Sequence, residues 1–192
     1  MKTIFTIHAG EFLVGSEIER RIPEANVWLP SKDTGVDLLA TNKQSTQVVS
    51  LQVKFSRDYR LTTTDQMYGD RLRATGWWKL NRQAIHKSEA DLWVFVLLTF
   101  APEYRAFTYK KTQFVLISPR DLEKRLSDFD ENADIQFYLW VTSTDKCWAT
   151  RGLRRDDLTG IADGSYSNNH RDFTQYLNAW SDLKGRLAQA AG

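Results

Sequence analysis

The sequence predicts an α/β fold in which helices flank a mixed β-sheet, and three observations support this fold class. An amphipathic segment opens the chain, short segments of alternating or wholly apolar residues follow, and a second amphipathic segment closes it. The composition of 42% hydrophobic, 12% aromatic and 26% charged residues is typical of a globular protein. The 192 residues contain no recognisable linker, so a single domain over residues 1–192 is expected.

The first predicted helix covers residues 10–21 and ends before a proline. Val14, Ile18 and Ile22 recur at helical spacing on one face. Glu11 falls on this same apolar face. Burying a carboxylate costs free energy unless a cation or hydrogen-bond donors accompany it, so an inward Glu11 indicates a polar or metal site.

A short strand over residues 26–29 and a turn over residues 32–35 are predicted next, and they lead into a β-hairpin. The first hairpin strand, residues 36–40, places Asp37 on the face opposite Val36 and Leu38. A polar turn follows. In the second hairpin strand Val49, Leu51, Val53 and Phe55 share one face, and Gln52 and Lys54 share the other.

The second half of the chain continues with alternating strands and helices. Residues 64–87 are expected to be helical in part, and residues 91–99 are apolar enough for a central strand. The later elements are a strand at 113–117, a helix capped by Ser118 that runs to residue 126, and an outer strand at 135–142. A final helix is predicted to begin near residues 168–169. Its apolar residues recur at helical spacing and are Phe173, Tyr176, Leu177, Trp180, Leu183 and Leu187. These elements predict a C-terminal helical extension over about residues 101–192, beyond a core of about residues 8–100.

Charge is distributed unevenly along a chain whose net charge is only +2. Residues 54–87 hold eight basic and three acidic residues, a local charge of +5. Residues 119–163 hold seven basic and ten acidic residues, a local charge of −3. The whole chain therefore has no strong general attraction for nucleic acid, whereas the basic part follows the second hairpin strand directly.

Cellular location is indicated by what the sequence lacks. The apolar run that an export signal needs is interrupted early by His8 and Glu11, and the longest apolar stretch is about half the roughly 20 residues of a membrane helix. The single cysteine, Cys147, leaves no intramolecular disulfide. A cytoplasmic protein with no membrane association is expected.

The hairpin groups the functional side chains that phosphodiester hydrolysis uses. Hard cations such as Mg²⁺ bind oxygen ligands, which Asp37, the amide oxygen of Gln52 and the backbone carbonyl of Val53 could supply. Lys54 would position a metal-bound water and offset the charge that develops on the phosphate. Each residue alone is better explained as a turn or a solvated strand face, and their combination with Glu11 favours a site.

These residues resemble the PD-(D/E)XK nuclease superfamily, which includes many restriction endonucleases and the archaeal Holliday-junction resolvases. The resemblance rests on Gly10-Glu11 in a first helix, Gly35-Val36-Asp37-Leu38-Leu39 in a strand, and Leu51-Gln52-Val53-Lys54 in the next strand. It covers roughly the first 100 residues. It implies a restriction-endonuclease-like αβββαβ core, a Mg²⁺ cofactor for which Mn²⁺ can substitute, and cleavage of DNA in restriction, defence or repair.

Within that resemblance, Asp37 is expected to be the principal metal ligand, Gln52 and Val53 further ligands, Glu11 an outer or second-metal ligand, and Lys54 the water-positioning group. Two positions depart from the family pattern. Val36 stands in place of the motif's proline, and Gln52 replaces its acidic residue, which removes a negative charge from the metal site. The alternative is therefore a catalytically silent relative that binds nucleic acid or a protein partner.

Contacts to a DNA backbone are predicted from the basic stretch after Lys54, because Arg and Lys neutralise phosphates without sequence preference. Arg57 and Arg60 are the preferred contacts. The other predicted contacts are Arg71, Arg73, Lys79 and Arg82. Ordinary helix surface with core tryptophans explains this stretch equally well. Cleavage of both strands would favour a homodimer, by analogy, and an RNA substrate stays an open alternative.

Overall fold

The computed structural model describes residues 9–32, 34–56, 67–98, 100–103, 106–109, 112–127 and 132–188, and their structure is mixed α/β. The helices are α1 (Ala9–Arg21), α2 (Arg82–His86), α3 (Pro119–Ser127), α4 (Arg155–Asp163) and α5 (Trp180–Ala188). The strands are β1 (Asn26–Trp28), β2 (Leu38–Thr41), β3 (Val48–Phe55), β4 (Leu72–Asn81), β5 (Leu92–Leu97), β6 (Phe100–Glu103), β7 (Ala106–Tyr109), β8 (Gln113–Ile117), β9 (Asp134–Thr142) and β10 (Cys147–Ala149).

A five-stranded mixed sheet has the order β1-β2-β3-β5-β8. The first three strands form an antiparallel meander, β5 lies parallel to β3, and β8 lies antiparallel to β5. A second, antiparallel sheet has the order β10-β9-β4, and β6 pairs with β7. Because β3 and β5 run parallel, the chain between them must cross over, and β4 with α2 makes this connection.

The back face of the five-stranded sheet, defined here as the face that carries Leu51 and Val94, is covered by α1 and α5. Val14 and Ile18 from α1 and Leu183 from α5 are fully buried in the cluster formed there. The periodic apolar residues of α1 therefore form an element that is stabilised mainly by packing on this sheet face.

The front face, defined as the opposite face, which carries Gln52, Lys54 and Trp93, is covered over β5 and β8 by the second sheet. Trp78 of β4 packs edge-on against Phe95 of β5, with ring centroids 4.9 Å apart, and Phe137 of β9 lies 5.2 Å from the same Phe95 ring. These rings belong to a buried cluster that joins both sheets to α2 and α3.

Several predicted elements are confirmed. The helix over residues 10–21 is α1, the hairpin is β2 with β3, and the apolar strand is β5, whose six residues are all buried between β3 and β8. Ser118 caps α3 as predicted, because its hydroxyl oxygen accepts the N–H of Asp121 at 3.1 Å. Within the described residues, no helix combines the length and the apolar character needed to cross a lipid bilayer.

Other predictions are wrong in the second half of the chain. The described part of residues 64–87 is helical in part, as expected, at α2 and at a 3₁₀ turn over Gly69–Arg71, but its longest element is the strand β4, which was not predicted. The strand predicted at 135–142 as an outer one is β9, the middle strand of its sheet. The extension is not helical throughout, since it contains both β9 and β10.

The final helix begins later than predicted. Residues Thr174–Tyr176 form a 3₁₀ turn, Asn178 has a φ of +50°, and α5 starts only at Trp180. Phe173 lies in the cluster between the two sheets, whereas Trp180 lies in the cluster on the back face. The apolar residues that were predicted to share one final helix are therefore divided between the two faces of the sheet. One continuous helix could not reach both faces.

Candidate functional site

Asp37 lies where β2 begins, beside the end of β3. Its carboxylate oxygen Oδ2 accepts the backbone N–H of Val53 at 2.8 Å, and its own N–H donates to the carbonyl of Leu51 at 2.8 Å. Leu51 is also the register partner of Leu38, so two residues of one strand face a single residue of the other, as in a β-bulge. This irregularity directs the Asp37 carboxylate toward Val53.

The alternation of side chains between the two sheet faces, from which the orientation of Asp37 was predicted, does not hold between Val36 and Leu38. Val36 packs against the cluster between the two sheets, whereas Leu38 is buried in the cluster on the back face. The prediction that Val36 and Leu38 share a face is therefore wrong. The position of Asp37 is determined by its hydrogen bonds to β3 rather than by strand parity.

Gln52 and Lys54 lie on the front face, as their shared parity predicts. In the parallel ladder Gln52 is the partner of Trp93, and Lys54 is the partner of Phe95. The ammonium nitrogen Nζ of Lys54 lies 4.6 Å from the centroid of the Trp93 ring, within the range of a cation–π interaction. Both side chains are half-buried, so neither belongs to a fully solvated strand face.

Two neighbours hold this end of β3 in place. The indole N–H of Trp78 donates to the backbone carbonyl of Lys54 at 3.0 Å, and the N–H of Trp77 donates to the hydroxyl of the fully buried Ser56 at 3.1 Å. Trp78 is 4% exposed and packs in the core, so it agrees with the explanation of this stretch by core tryptophans. Its indole holds the backbone that carries Lys54.

Glu11 is buried on α1, with 7% of its surface exposed, as the helical-face argument predicts. Its neighbour Gly10 is in tight contact with Phe55, because a Cβ built on Gly10 would lie 2.9 Å from the Cβ of Phe55. The first turn of α1 therefore packs directly on the last residue of β3. Glu11 therefore belongs to the helix on the back face, whereas Gln52 and Lys54 lie on the front face, so the expectation that Glu11 is directed to the same side as those residues is wrong.

The donor set can be tested against the Mg²⁺ that the family resemblance implies. The N–H and C=O of one strand residue point to the same neighbouring strand, so the carbonyl of Val53 points toward the side on which Asp37 lies. A carboxylate, a backbone carbonyl and the amide of Gln52 are oxygen donors of the type Mg²⁺ binds. These residues fit the ion in the type of donor atom that they offer. Among the described residues, no group of three or more His, Cys, Asp or Glu side chains could hold a metal.

A cleft of about 340 Å³ adjoins Lys54 on the front face. It lies between the end of β3 and the end of β4, and it continues to α2. Its lining residues are Val53, Lys54, Phe55, Trp78, Lys79, Leu80, Asn81, Ala84 and Trp93. Trp93 and Asn81 were not predicted at this cleft, although the period-two alternation of β4 does place Lys79 and Asn81 on one face of that strand.

The predicted DNA-contacting cations are dispersed. Lys79 lines the cleft, but its ammonium group pairs with Asp134 at 2.8 Å. Arg71 pairs with Asp163 and Arg73 with Asp145. Arg73 lies six positions before Lys79 along β4, which is about 20 Å at the rise of a strand.

Arg82 begins α2, where its guanidinium donates to the hydroxyl of Ser127 at 3.0 Å. Arg57 and Arg60, the preferred contacts, lie outside the described residues, as does His8. Of the predicted phosphate contacts in the described part of the chain, only Lys79 therefore lines the cleft beside Lys54.

Comparison of the chain with protein-family models, with curated proteins and with solved structures gave no match.

Proposed function

We propose that this protein is a metal-dependent nuclease with a restriction-endonuclease-like core that hydrolyses phosphodiester bonds of DNA. The observation that carries the proposal is the convergence of Asp37, Gln52, Val53 and Lys54 at one end of β3. The Asp37 carboxylate, bonded to the N–H of Val53 at 2.8 Å, is directly beside the strand that carries Lys54. A site of this kind uses few residues, all on adjacent strands.

The topology supports the same proposal. A helix followed by an antiparallel three-stranded meander, with a further strand parallel to the third, is the order that the αβββαβ core requires. The five-residue α2 and the strand β4 occupy the position of the core's second helix. This difference affects the covering of the front face, whereas the strands that carry the site keep the expected order.

The chemistry would divide among the residues as follows. Asp37, Gln52 and the carbonyl of Val53 would hold Mg²⁺, which supplies an activated water and polarises the phosphate. Lys54 would donate to a phosphate oxygen and offset negative charge as the water oxygen bonds to phosphorus and one P–O ester bond breaks. Glu11 would accept a proton or a hydrogen bond from water at the edge of the site. The products are one phosphate end and one hydroxyl end.

Plasmid cleavage with Mg²⁺ or Mn²⁺ tests the proposal. Asp37→Asn is the sharpest variant, because the amide oxygen of Asn can still accept the N–H of Val53 while the charge is lost. We expect cleavage to fall by at least about 100-fold, and Lys54→Ala to cause a loss of about 10²–10³-fold. Asp156→Asn, a change at an exposed position of α4, is the matched control. Equal cleavage by wild type and Asp37→Asn would exclude this site.

A second candidate function is a nuclease-like domain that binds nucleic acid without cutting it. Two observations favour it: Gln52 lacks the charge of the family's acidic residue, and the Lys54 ammonium is already packed on Trp93. Calorimetric titration with Mn²⁺ separates the candidates, since a silent domain has no requirement for the ion. Binding that disappears in Asp37→Asn supports the enzyme. The same assays with RNA in place of DNA distinguish the two polymers.

A further inference from the structure

Among the described residues, the second sheet packs on the front face of the five-stranded sheet over β5 and β8. The described residues leave this face open around Trp28 and Val48, whereas Thr41 on the same face is 6% exposed. Trp28 is 53% exposed and Val48 is 54% exposed, although both side chains lie on a sheet face that continues into buried core. In the described part of the chain, the residues of this open face between Asp37 and the β2–β3 turn are uncharged: Asn26, Trp28, Leu39, Thr41, Val48 and Ser50.

Trp28 is held in place despite its exposure. Its indole N–H donates to the hydroxyl of Thr41 at 3.1 Å, and Thr41 is only 6% exposed. Thr41 lies diagonally across the β1–β2 ladder, because the register partner of Trp28 is Leu39. The indole therefore extends across the sheet surface in a fixed orientation while more than half of the residue stays accessible.

We propose that Trp28 is a stacking platform for a base of a single-stranded nucleic acid segment that extends from the active site. This inference rests on the proposed nuclease function and specifies its substrate. Flat aromatic rings on an exposed sheet face bind unpaired bases by stacking, with little preference for sequence. The side chains around the ring are uncharged, which suits bases. Because the Asp91 carboxylate accepts hydrogen bonds from Ser50 at the β5 side of this face, phosphates would be met at the cleft end, by Lys54.

The spacing along the sheet agrees with this arrangement. Leu39, the partner of Trp28, lies two positions beyond Asp37 on β2, and the indole is directed further along the sheet toward Thr41. The ring and the Asp37 carboxylate are thus separated by on the order of 10 Å, from the strand rise and spacing. Bases inside a duplex are stacked on each other, so only an unpaired base can occupy the Trp28 ring.

A second copy of this chain is the other possible occupant, and the area of the face disfavours it. Three strands about 4.8 Å apart and four residues long present on the order of 200 Å². A stable interface buries about 800 Å² on each partner. The open face is therefore too small for a dimer but sufficient for one or two nucleotides.

The experiment is a binding titration in EDTA, so that no cleavage takes place. Fluorescence anisotropy is measured with a labelled oligothymidylate of about 12 nucleotides, a length within the ~4–16-nucleotide sites of single-strand-binding folds, and with a duplex of the same length. We expect Trp28→Ala to weaken binding of the single strand by roughly 5- to 150-fold, and Trp28→Phe to retain most of it. Met67→Ala, which removes a side chain of similar exposure (54%) elsewhere, is the matched control.

Three results would overturn the proposal. They are absence of single-strand binding by the wild type, equal binding by Trp28→Ala, and a change of Trp28→Ala from dimer to monomer in size-exclusion chromatography without an effect on the oligonucleotide. Plasmid cleavage by the same variants separates this inference from the nuclease proposal. If Trp28→Ala loses single-strand binding while the wild type never cleaves, the stacking role of Trp28 is supported and the nuclease function is excluded. If Trp28→Ala cleaves normally and binds the single strand as the wild type does, the nuclease function is supported and the stacking role is excluded.

Discussion

Gly10 offers a direct test of how α1 is fixed at the end of β3. A Cβ added at this position would lie 2.9 Å from the Cβ of Phe55 and 3.1 Å from two atoms of its ring. Ordinary carbon contacts are about 3.5–4.0 Å, so α1 or β3 must shift by roughly 0.5–1 Å. The Cβ of Phe55 is attached directly to the backbone of β3, and a side-chain rotation cannot remove this clash.

Gly10→Ala is therefore expected to destabilise the protein. Overpacking typically costs about 1–3 kcal/mol, and a small gain in helix propensity offsets part of it. A net loss of about 1–2 kcal/mol lowers the Tm by roughly 2–8 °C in a chain of this size. Differential scanning calorimetry measures the change directly, and Mn²⁺ titration of the same variant would show whether the shift also moves Glu11.

Gly185 provides a matched control with the opposite expected sign. It lies in α5, and a Cβ added there meets no atom within 4 Å. Gly185→Ala is then expected to raise the stability by about 0.5–1 kcal/mol, because alanine favours the helical conformation. If Gly10→Ala melts at or above the temperature of the wild type, the packing of α1 against Phe55 is not as close as described here.

Three further predictions concern metal binding, thiol reactivity and pH. Gln52→Glu introduces a carboxylate at the proposed metal site and should tighten Mn²⁺ binding by about tenfold or more in calorimetry; unchanged affinity would remove Gln52 from the site. Burial raises the pKa of the Cys147 thiol, so the thiol should react with Ellman's reagent only upon unfolding, and rapid labelling of the native protein would contradict its burial. A hydrogen bond from Arg20 lowers the pKa of Glu17 to about 2, so its contribution to stability is complete above about pH 4.5 and is lost as the pH falls toward 2. Since Arg20 is largely exposed, Glu17→Gln should cost at most about 1 kcal/mol at pH 7 and almost nothing at pH 2 in urea unfolding, and an equal cost at both pH values would refute the assignment.

The elements that were predicted correctly have a simple local pattern that matches their packing. α1 has one buried face, and β5 is apolar throughout because both of its faces are covered. The hairpin of β2 and β3 follows from two alternating segments around a polar turn. In these cases the hydrophobic periodicity and the tertiary environment agree, so the sequence alone was sufficient.

β4 was missed although its alternation is visible once the strand is known. Ala74, Trp78 and Leu80 face the core, whereas Arg73 and Lys79 face outward. The half-buried Trp77 interrupts the pattern on the outward face, because its ring lies 6.0 Å from that of Tyr138. The pairing of β4 with β9, more than 50 residues away, decides its structure, and no local window of sequence contains that information.

The placement of the candidate site residues was predictable only in part. Parity placed Gln52 and Lys54 correctly because β3 is regular. The strict alternation of side chains between the two sheet faces does not hold from Val36 to Leu38, because these two residues lie on opposite faces beside Asp37. A bulge depends on which backbone groups of the neighbouring strand are available, and a single strand's sequence does not reveal them.

The electrostatic surface also depends on pairings that are distant in sequence. The local charges of +5 and −3 suggested separate basic and acidic regions, but the fold brings them together. Arg71, Arg73 and Lys79 each pair with a carboxylate from the acidic segment. A broad basic field for attracting duplex DNA is therefore reduced in the described part of the chain. Affinity would then depend on short-range contacts at the end of β3 and on base stacking at Trp28, and a weaker dependence of binding on salt concentration follows from the smaller number of phosphates neutralised.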